Sequence, residues 1–161
     1  MKLYVVRHGI AEDGAPDLPD EERRLTEEGR DELRRSVEGL AAFGLRLDAV
    51  LTSPLVRARE TAALLRKGIP GPPPAVLPDL APGGDLGRVL RAVEGVGERV
   101  AVVGHEPGLG CLVSLALFGQ ETDATPLRKG GVVCLRFDAP PRPGRAALVW
   151  ALTPRQLRHL R

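Results

Sequence analysis

Two of the three histidines in the chain come at the end of a short apolar run, His8 one residue after it. His8 comes after "LYVV" and stands between Arg7 and Gly9. His105 comes after "RVAVVG" and is followed by Glu106. A neutral imidazole is nucleophilic near pH 7 without help from a strong base. A guanidinium fork suits tetrahedral oxyanions. Arg57, in "SPLVRARETA" (53–62), supplies a second guanidinium. Two histidines and two arginines are together what transfer of a phosphoryl group requires: a nucleophile for phosphorus and donors for its oxygens. Other chemistries lack their residues. There is no G-x-S-x-G, and "GHEPGLG" lacks the Lys-Ser/Thr that ends a phosphate-binding loop. Cys111 and Cys134 have no metal or redox spacing and read as small buried hydrophobes. Arginines flanking the histidines repel cations, so no metal and no cofactor is expected. His159, in the terminal "QLRHLR", reads as a solvated tail residue without a role.

These residues need elements that bring them together. "KLYVV" (2–6) is short, apolar and bounded, hence a buried strand. An acidic loop follows over 9–24, and Thr26 caps a helix to about Phe43 that turns Leu33, Val37, Leu40 and Ala41 to one face. "DAVLT" (48–52) is the second strand. Ser53 as cap and Pro54 as first helical residue open a helix to about Lys67, which places Arg57 about one turn in. The helix dipole disfavours a cation there by about 0.3–1 kcal/mol, so this arginine points into water or faces a bound anion. The Gly/Pro-rich stretch 68–84 reads as a rigid surface loop with at most a short strand at "AVL". A helix over about 85–95, a strand at 99–104 and a buried helix over 106–119 follow, with Pro107 near the first turn. Strands at 131–137 and 146–152 and a short helix at 153–160 close the chain. His105 then lies just before a helix N-terminus, where the dipole lowers its pKa and a bound dianion raises it. Alternating strands and helices predict one α/β domain, 1–161, as a three-layer sandwich with a mostly parallel sheet covered on both faces. Ligands in such folds sit beyond the carboxyl ends of the strands, where Arg7, His8, Arg57 and His105 would converge.

Composition bounds the partners. The net charge is +2, although Lys2, Lys67 and Lys129 are the only lysines among 23 basic residues. Aromatic residues make up 3% of the chain and do not alternate with a basic stripe, so a nucleic-acid role is not expected. Arg7 interrupts the one early apolar run and "LGCLVSLALFG" (109–119) is too short to span a bilayer. No signal peptide and no membrane association are expected, and a cytoplasmic location follows as the default.

The blocks "VVRHG" (5–9), "LTEEG" (25–29), "SPLVRARETA" (53–62) and "VVGHEPG" (102–108) resemble the histidine phosphatase, or phosphoglycerate mutase-like, superfamily in order and spacing. The short length, "GHEPG" and the closing "LTPRQL" are similar to its SixA branch of phosphohistidine phosphatases. The resemblance implies His8 as nucleophile, His105 as the second site histidine, and Arg7 and Arg57 as phosphate clamps. It also implies Arg23 as a further pocket arginine, a role that neighbouring Arg24 could take instead.

The chain departs from the wider superfamily in two places. "IAED" (10–13) replaces the Thr and Asn that often follow R-H-G, and Pro82 lies where many members carry a catalytic Glu. Asp79, Asp85 and Glu106 are left as unranked candidates for a general acid. A phosphohistidine leaving group needs less protonation than a sugar alkoxide, so the missing acid agrees with a phosphorylated protein as substrate. Residues 63–102 also leave no room for a large cap, and an open site admits a phosphorylated side chain on a protein surface. The alternatives are a small phosphate ester or a mutase reaction at the same site, and, in another class, a non-catalytic module that binds phosphoproteins.

Overall fold

The structure, a computed structural model, describes residues 1–160. Six strands form one sheet: β1 (Lys2–Arg7), β2 (Ala49–Thr52), β3 (Ala75–Val76), β4 (Arg99–Gly104), β5 (Val132–Phe137) and β6 (Ala146–Leu152). Their order across the sheet is β3-β2-β4-β1-β5-β6. The first four run parallel, β5 is antiparallel to β1, and β6 is antiparallel to β5. The helices are α1 (Glu27–Ala42), α2 (Val56–Gly68), α3 (Leu86–Ala92), α4 (Gly108–Phe118) and α5 (Pro154–Leu157). This is the expected mixed, mostly parallel α/β sandwich without a large cap.

The side-chain alternation of the central strands divides the core in two. Leu3, Val5, Val100 and Val102 pack with Val89 and Leu90 of α3 and Leu109, Leu112 and Val113 of α4. Tyr4, Val6, Ala101 and Val103 face the other way, onto Val37 and Leu40 of α1, Ala58, Ala62 and Leu65 of α2, and Leu157 of α5. Both faces are covered, so these strands are continuous apolar runs rather than alternating ones. Each fully buried Val or Leu contributes about 1.5–3 kcal/mol. The helix after β1 and the helix after β4 lie on opposite faces, and β1 and β4 are neighbours. The loops leaving these two strands therefore diverge and open a crevice at the carboxyl rim.

Local chemistry fixes where the rim loops go. Thr26 caps α1, as expected, by accepting the Gly29 N–H at 3.0 Å. A Cβ at Gly29 would lie 2.1 Å from the Ile10 carbonyl oxygen, and one at Gly9 would lie 2.4 Å from a Leu33 methyl. Gly9 thus lets Leu33 of α1 pack closely against the loop after His8.

The start of α2 differs from expectation. Its N-cap is Leu55, in an extended conformation, and its first residue is Val56. Ser53 does not cap it: the Ser53 hydroxyl accepts the Leu55 N–H at 3.3 Å, a local turn that delays the helix. Arg57 is consequently the second helical residue, closer to the positive helix end than one full turn. The helix expected over 85–95 is trimmed to Leu86–Ala92, and the terminal helix to Pro154–Leu157 behind a Thr153–Gln156 capping box. Among the described residues, no helix is long and apolar enough to cross a membrane.

Candidate active site

β1 ends at Arg7 and delivers His8 to the crevice, where the His8 N–H donates to the Gly104 carbonyl at 3.1 Å. The side chains of His8, Arg57 and His105 are each buried. The His8 ring nitrogen Nδ1 lies 2.7 Å from the Gly9 carbonyl oxygen. A carbonyl only accepts, so Nδ1 carries the proton and the neutral ring has its lone pair at Nε2. Arg57 Nε donates to that Nε2 at 3.3 Å. The His8 and His105 rings stand 5.1 Å apart. The sequence-predicted Arg7, His8, Arg57 and His105 thus meet at the carboxyl ends of three adjacent strands.

The electrostatics keep both imidazoles neutral. Burial pushes His8 down to about 4, and Arg57, Arg7 and Lys129 add to the shift against the opposing Gly9 carbonyl. Burial pushes His105 down to about 3, helped by His8 and by Arg57. In the unfolded chain both rings would protonate near pH 6.5. Between those values the unfolded state binds more protons, so stability falls with falling pH. Thermal melting is expected to drop as pH falls below about 6.5, and the His8→Ala variant is expected to lose part of that acid sensitivity.

Arg7 donates from Nη1 to the Leu127 carbonyl at 2.6 Å, while its buried Nε has no hydrogen-bond partner. His105 Nδ1 is also buried without one. Buried polar atoms are almost always paired, so these two atoms are free to bond a polar ligand.

Asp20 enters the site unforeseen. It lies in a single 3-10 turn (Asp20–Glu22) of the loop after β1. Arg57 donates from Nη1 to its carbonyl at 2.6 Å and from Nη2 to its carboxylate at 3.0 Å. The other carboxylate oxygen accepts from Arg23 Nη1 at 2.7 Å. Hydrogen bonds from Arg23 and Arg57 hold the Asp20 carboxyl below the usual carboxylate range. Arg23, rather than Arg24, is therefore joined to the site, through Asp20. The signal was a carboxylate three residues before Arg23 in an otherwise unstructured acidic loop, too common a pattern to single out. The Asp20 carboxylate is 57% exposed, so the pair is worth about 1 kcal/mol or less. It competes with any oxyanion for Arg57 and repels it. Asp20→Asn is expected to tighten binding of inorganic phosphate about two- to fivefold in calorimetric titration. Weaker binding would instead show that the carboxylate orients the arginines.

The three acid candidates have other work. Glu106 accepts the Gly110 N–H at 3.0 Å with one oxygen and the Leu127 N–H at 2.5 Å with the other. It ties the start of α4 to the residue whose carbonyl holds Arg7. Asp85 caps α3 through the Arg88 N–H, and Asp79 accepts the Asp85 N–H. None of these carboxylates is hydrogen-bonded to either histidine. Thr61, one turn after Arg57, accepts the Gly9 N–H at 3.2 Å and donates to the Arg57 carbonyl, so it locks the loop of His8 to α2. His159 is exposed at the far end of the chain. His105 lines a cleft of about 320 Å³ together with Asp79, Pro82, Glu106, Cys111 and Glu121. A larger cleft of about 480 Å³, among Met1, Glu94 and Asp138, lies away from both histidines.

The histidine phosphatase superfamily (branch 1) profile matches residues 3–81. An uncharacterized protein of Picosynechococcus sp. is 39% identical over 86% of this chain and 87% of its own. The phosphohistidine phosphatase SixA of Escherichia coli is 38% identical over 71% of this chain and 73% of its own. Among solved structures, the protein histidine phosphatase SixA complexed with tungstate superimposes with a TM-score of 0.85 at 28% identity, covering 98% of this chain and 99% of that one. Family match, sequence relatives and fold agree, and the chain belongs to the histidine phosphatase superfamily, branch 1.

Proposed function

We propose that the protein is a phosphohistidine phosphatase that works through a phosphohistidine on His8. The observation that carries this reading is the commitment of His8 Nδ1 to the Gly9 carbonyl, which leaves the Nε2 lone pair facing Arg57. In the first step Nε2 attacks phosphorus, a P–N bond forms, and the bond to the leaving group breaks. Arg7, Arg57 and His105 bind the equatorial oxygens as charge develops on them, and Arg23 supports Arg57 through their shared partner Asp20. A leaving imidazole departs as a neutral ring once its free nitrogen has taken a proton, so no acid is needed at the breaking bond. In the second step water attacks phosphorus, the P–Nε2 bond breaks, and the water proton leaves with inorganic phosphate. His8 returns to its neutral form. No metal or cofactor takes part in either step.

Three features favour a phosphorylated protein as substrate. Among the described residues no carboxylate is hydrogen-bonded to His8 or His105, so none is placed to protonate a poor leaving group. Between α2 and β4 the chain forms the two-residue strand β3, a 3-10 turn (Pro78–Leu80) and α3, and supplies no cap domain. A relative of similar sequence is a phosphohistidine phosphatase, and a SixA structure of this fold holds the tetrahedral oxyanion tungstate. The test compares kcat/KM on a histidine-phosphorylated protein domain with that on sugar phosphates and phosphoserine. A preference for the phosphohistidine protein is expected. Faster turnover of a small ester overturns the substrate assignment. Failure to trap label on the His8 peptide after alkaline quench, where phosphohistidine survives, overturns the covalent mechanism and favours a binding module.

A further inference from the structure

We propose that Ser53 is a positioning residue that sets which nitrogen of His105 carries the proton, so that the neutral ring presents an Nδ1–H to a phosphoryl oxygen bound at His8. Ser53 directly follows β2 and His105 directly follows β4, its parallel neighbour. The Ser53 hydroxyl oxygen is fully buried, 2.7 Å from His105 Nε2. It already accepts the Leu55 N–H, which takes one lone pair. Among the described residues, its hydrogen has no acceptor other than His105 Nε2. If Nε2 carried the proton, the serine hydrogen would be buried without a partner, which is costly. The arrangement that satisfies both groups has the hydroxyl donating to Nε2. The ring proton then sits on Nδ1, which is buried without a partner, in a ring whose centre is 5.1 Å from that of His8.

The tautomer matters because His105 is neutral at physiological pH, its pKa held down by burial. A neutral imidazole offers one donor, and it must be the nitrogen that faces the oxyanion. The Leu55 N–H takes one lone pair of the Ser53 oxygen and leaves the hydroxyl hydrogen for His105.

The catalytic half of this inference rests on the reading of His8 as nucleophile; the tautomer itself does not. Long-range proton–nitrogen correlation spectra of the 15N-labelled protein at neutral pH report which imidazole nitrogen is protonated. In the wild type, His105 is expected to show a protonated Nδ1 and an unprotonated Nε2. A wild-type ring protonated at Nε2 overturns the inference without any variant. In Ser53→Ala an Nε2–H population is expected to appear, and kcat on a phosphorylated protein is expected to fall about tenfold. Ser53→Thr, which keeps the hydroxyl, is expected to restore both. An unchanged His105 tautomer in Ser53→Ala overturns the positioning role. A shifted tautomer with wild-type kcat overturns its catalytic consequence. Turnover that survives His8→Ala would overturn the proposed function while leaving the His105 spectrum as it was, so the two failures are distinguishable.

Discussion

His8→Ala is expected to lower kcat on a phosphorylated substrate by about 10⁴-fold or more, because a covalent route loses its only nucleophile. Little of the fold depends on this side chain. Its Nδ1 bonds to the neighbouring Gly9 carbonyl, and the backbone N–H that ties it to Gly104 is kept. Circular dichroism and the melting temperature at neutral pH are expected to stay close to the wild type. Arg57 loses its contact with Nε2 but keeps both bonds to Asp20. Loss of turnover with retained phosphate binding is the signature of a missing nucleophile, and wild-type rates in a folded His8→Ala protein would sink the mechanism. The pH profile supplies an independent check. The free enzyme needs His8 unprotonated at Nε2, and its pKa lies at about 4. The acid limb of kcat/KM is expected well below the pH 6.5 of an ordinary histidine.

The second large effect is at Arg57. Arg57→Ala is expected to reduce kcat/KM by about 10²–10³-fold, the usual consequence of removing a donor from a developing oxyanion. The residue is buried, and its Nε, Nη1 and Nη2 are all engaged at the centre of the site. Removing it also leaves the Asp20 carboxylate with Arg23 alone, one cation fewer to offset its charge beside an incoming dianion. Arg57→Lys is expected to recover only part of the loss, since an ammonium is a point charge and cannot bridge His8 and an oxyanion at once. A loss confined to KM, with kcat intact, would mean that Arg57 only gathers substrate and does not act on the transition state. Asp20→Asn in the Arg57→Ala background is then expected to lose the part of its effect that acts by competition for Arg57 and to keep the part that acts by charge repulsion, a non-additivity that phosphate titration of the double variant reads.

Much of the fold was legible because burial on both faces writes strands as continuous apolar runs. "LYVV" and "RVAVVG" could be little else, and each ends on a glycine-flanked histidine. The rule that ligands bind beyond strand carboxyl ends then selected Arg7, His8, Arg57 and His105 from distant segments. The boundaries that failed were those decided by side-chain competition. Ser53-Pro54 has the composition of a helix start, yet the serine hydroxyl serves Leu55 and His105, and the helix waits until Val56. Gly9 shows the same dependence on packing, since a Cβ there would crowd Leu33 of α1.

The sequence by itself determined the class of the fold, the strand-end placement of the reactive residues and the family that the four blocks resemble. Those follow from periodicity and from short motifs, which are local along the chain. Only the tertiary structure decided what each side chain bonds to. The strand order puts β4 between β2 and β1, and this brings Ser53 to His105 across 52 residues and Arg57 to His8 across 49. The loop after β1 folds back so that Asp20 reaches Arg57, and Glu106 spends both oxygens on backbone N–H groups instead of standing free as an acid. Pairings of this kind depend on strand order, register and loop path, and a hydrogen bond between side chains far apart in the chain leaves no period in the sequence to read.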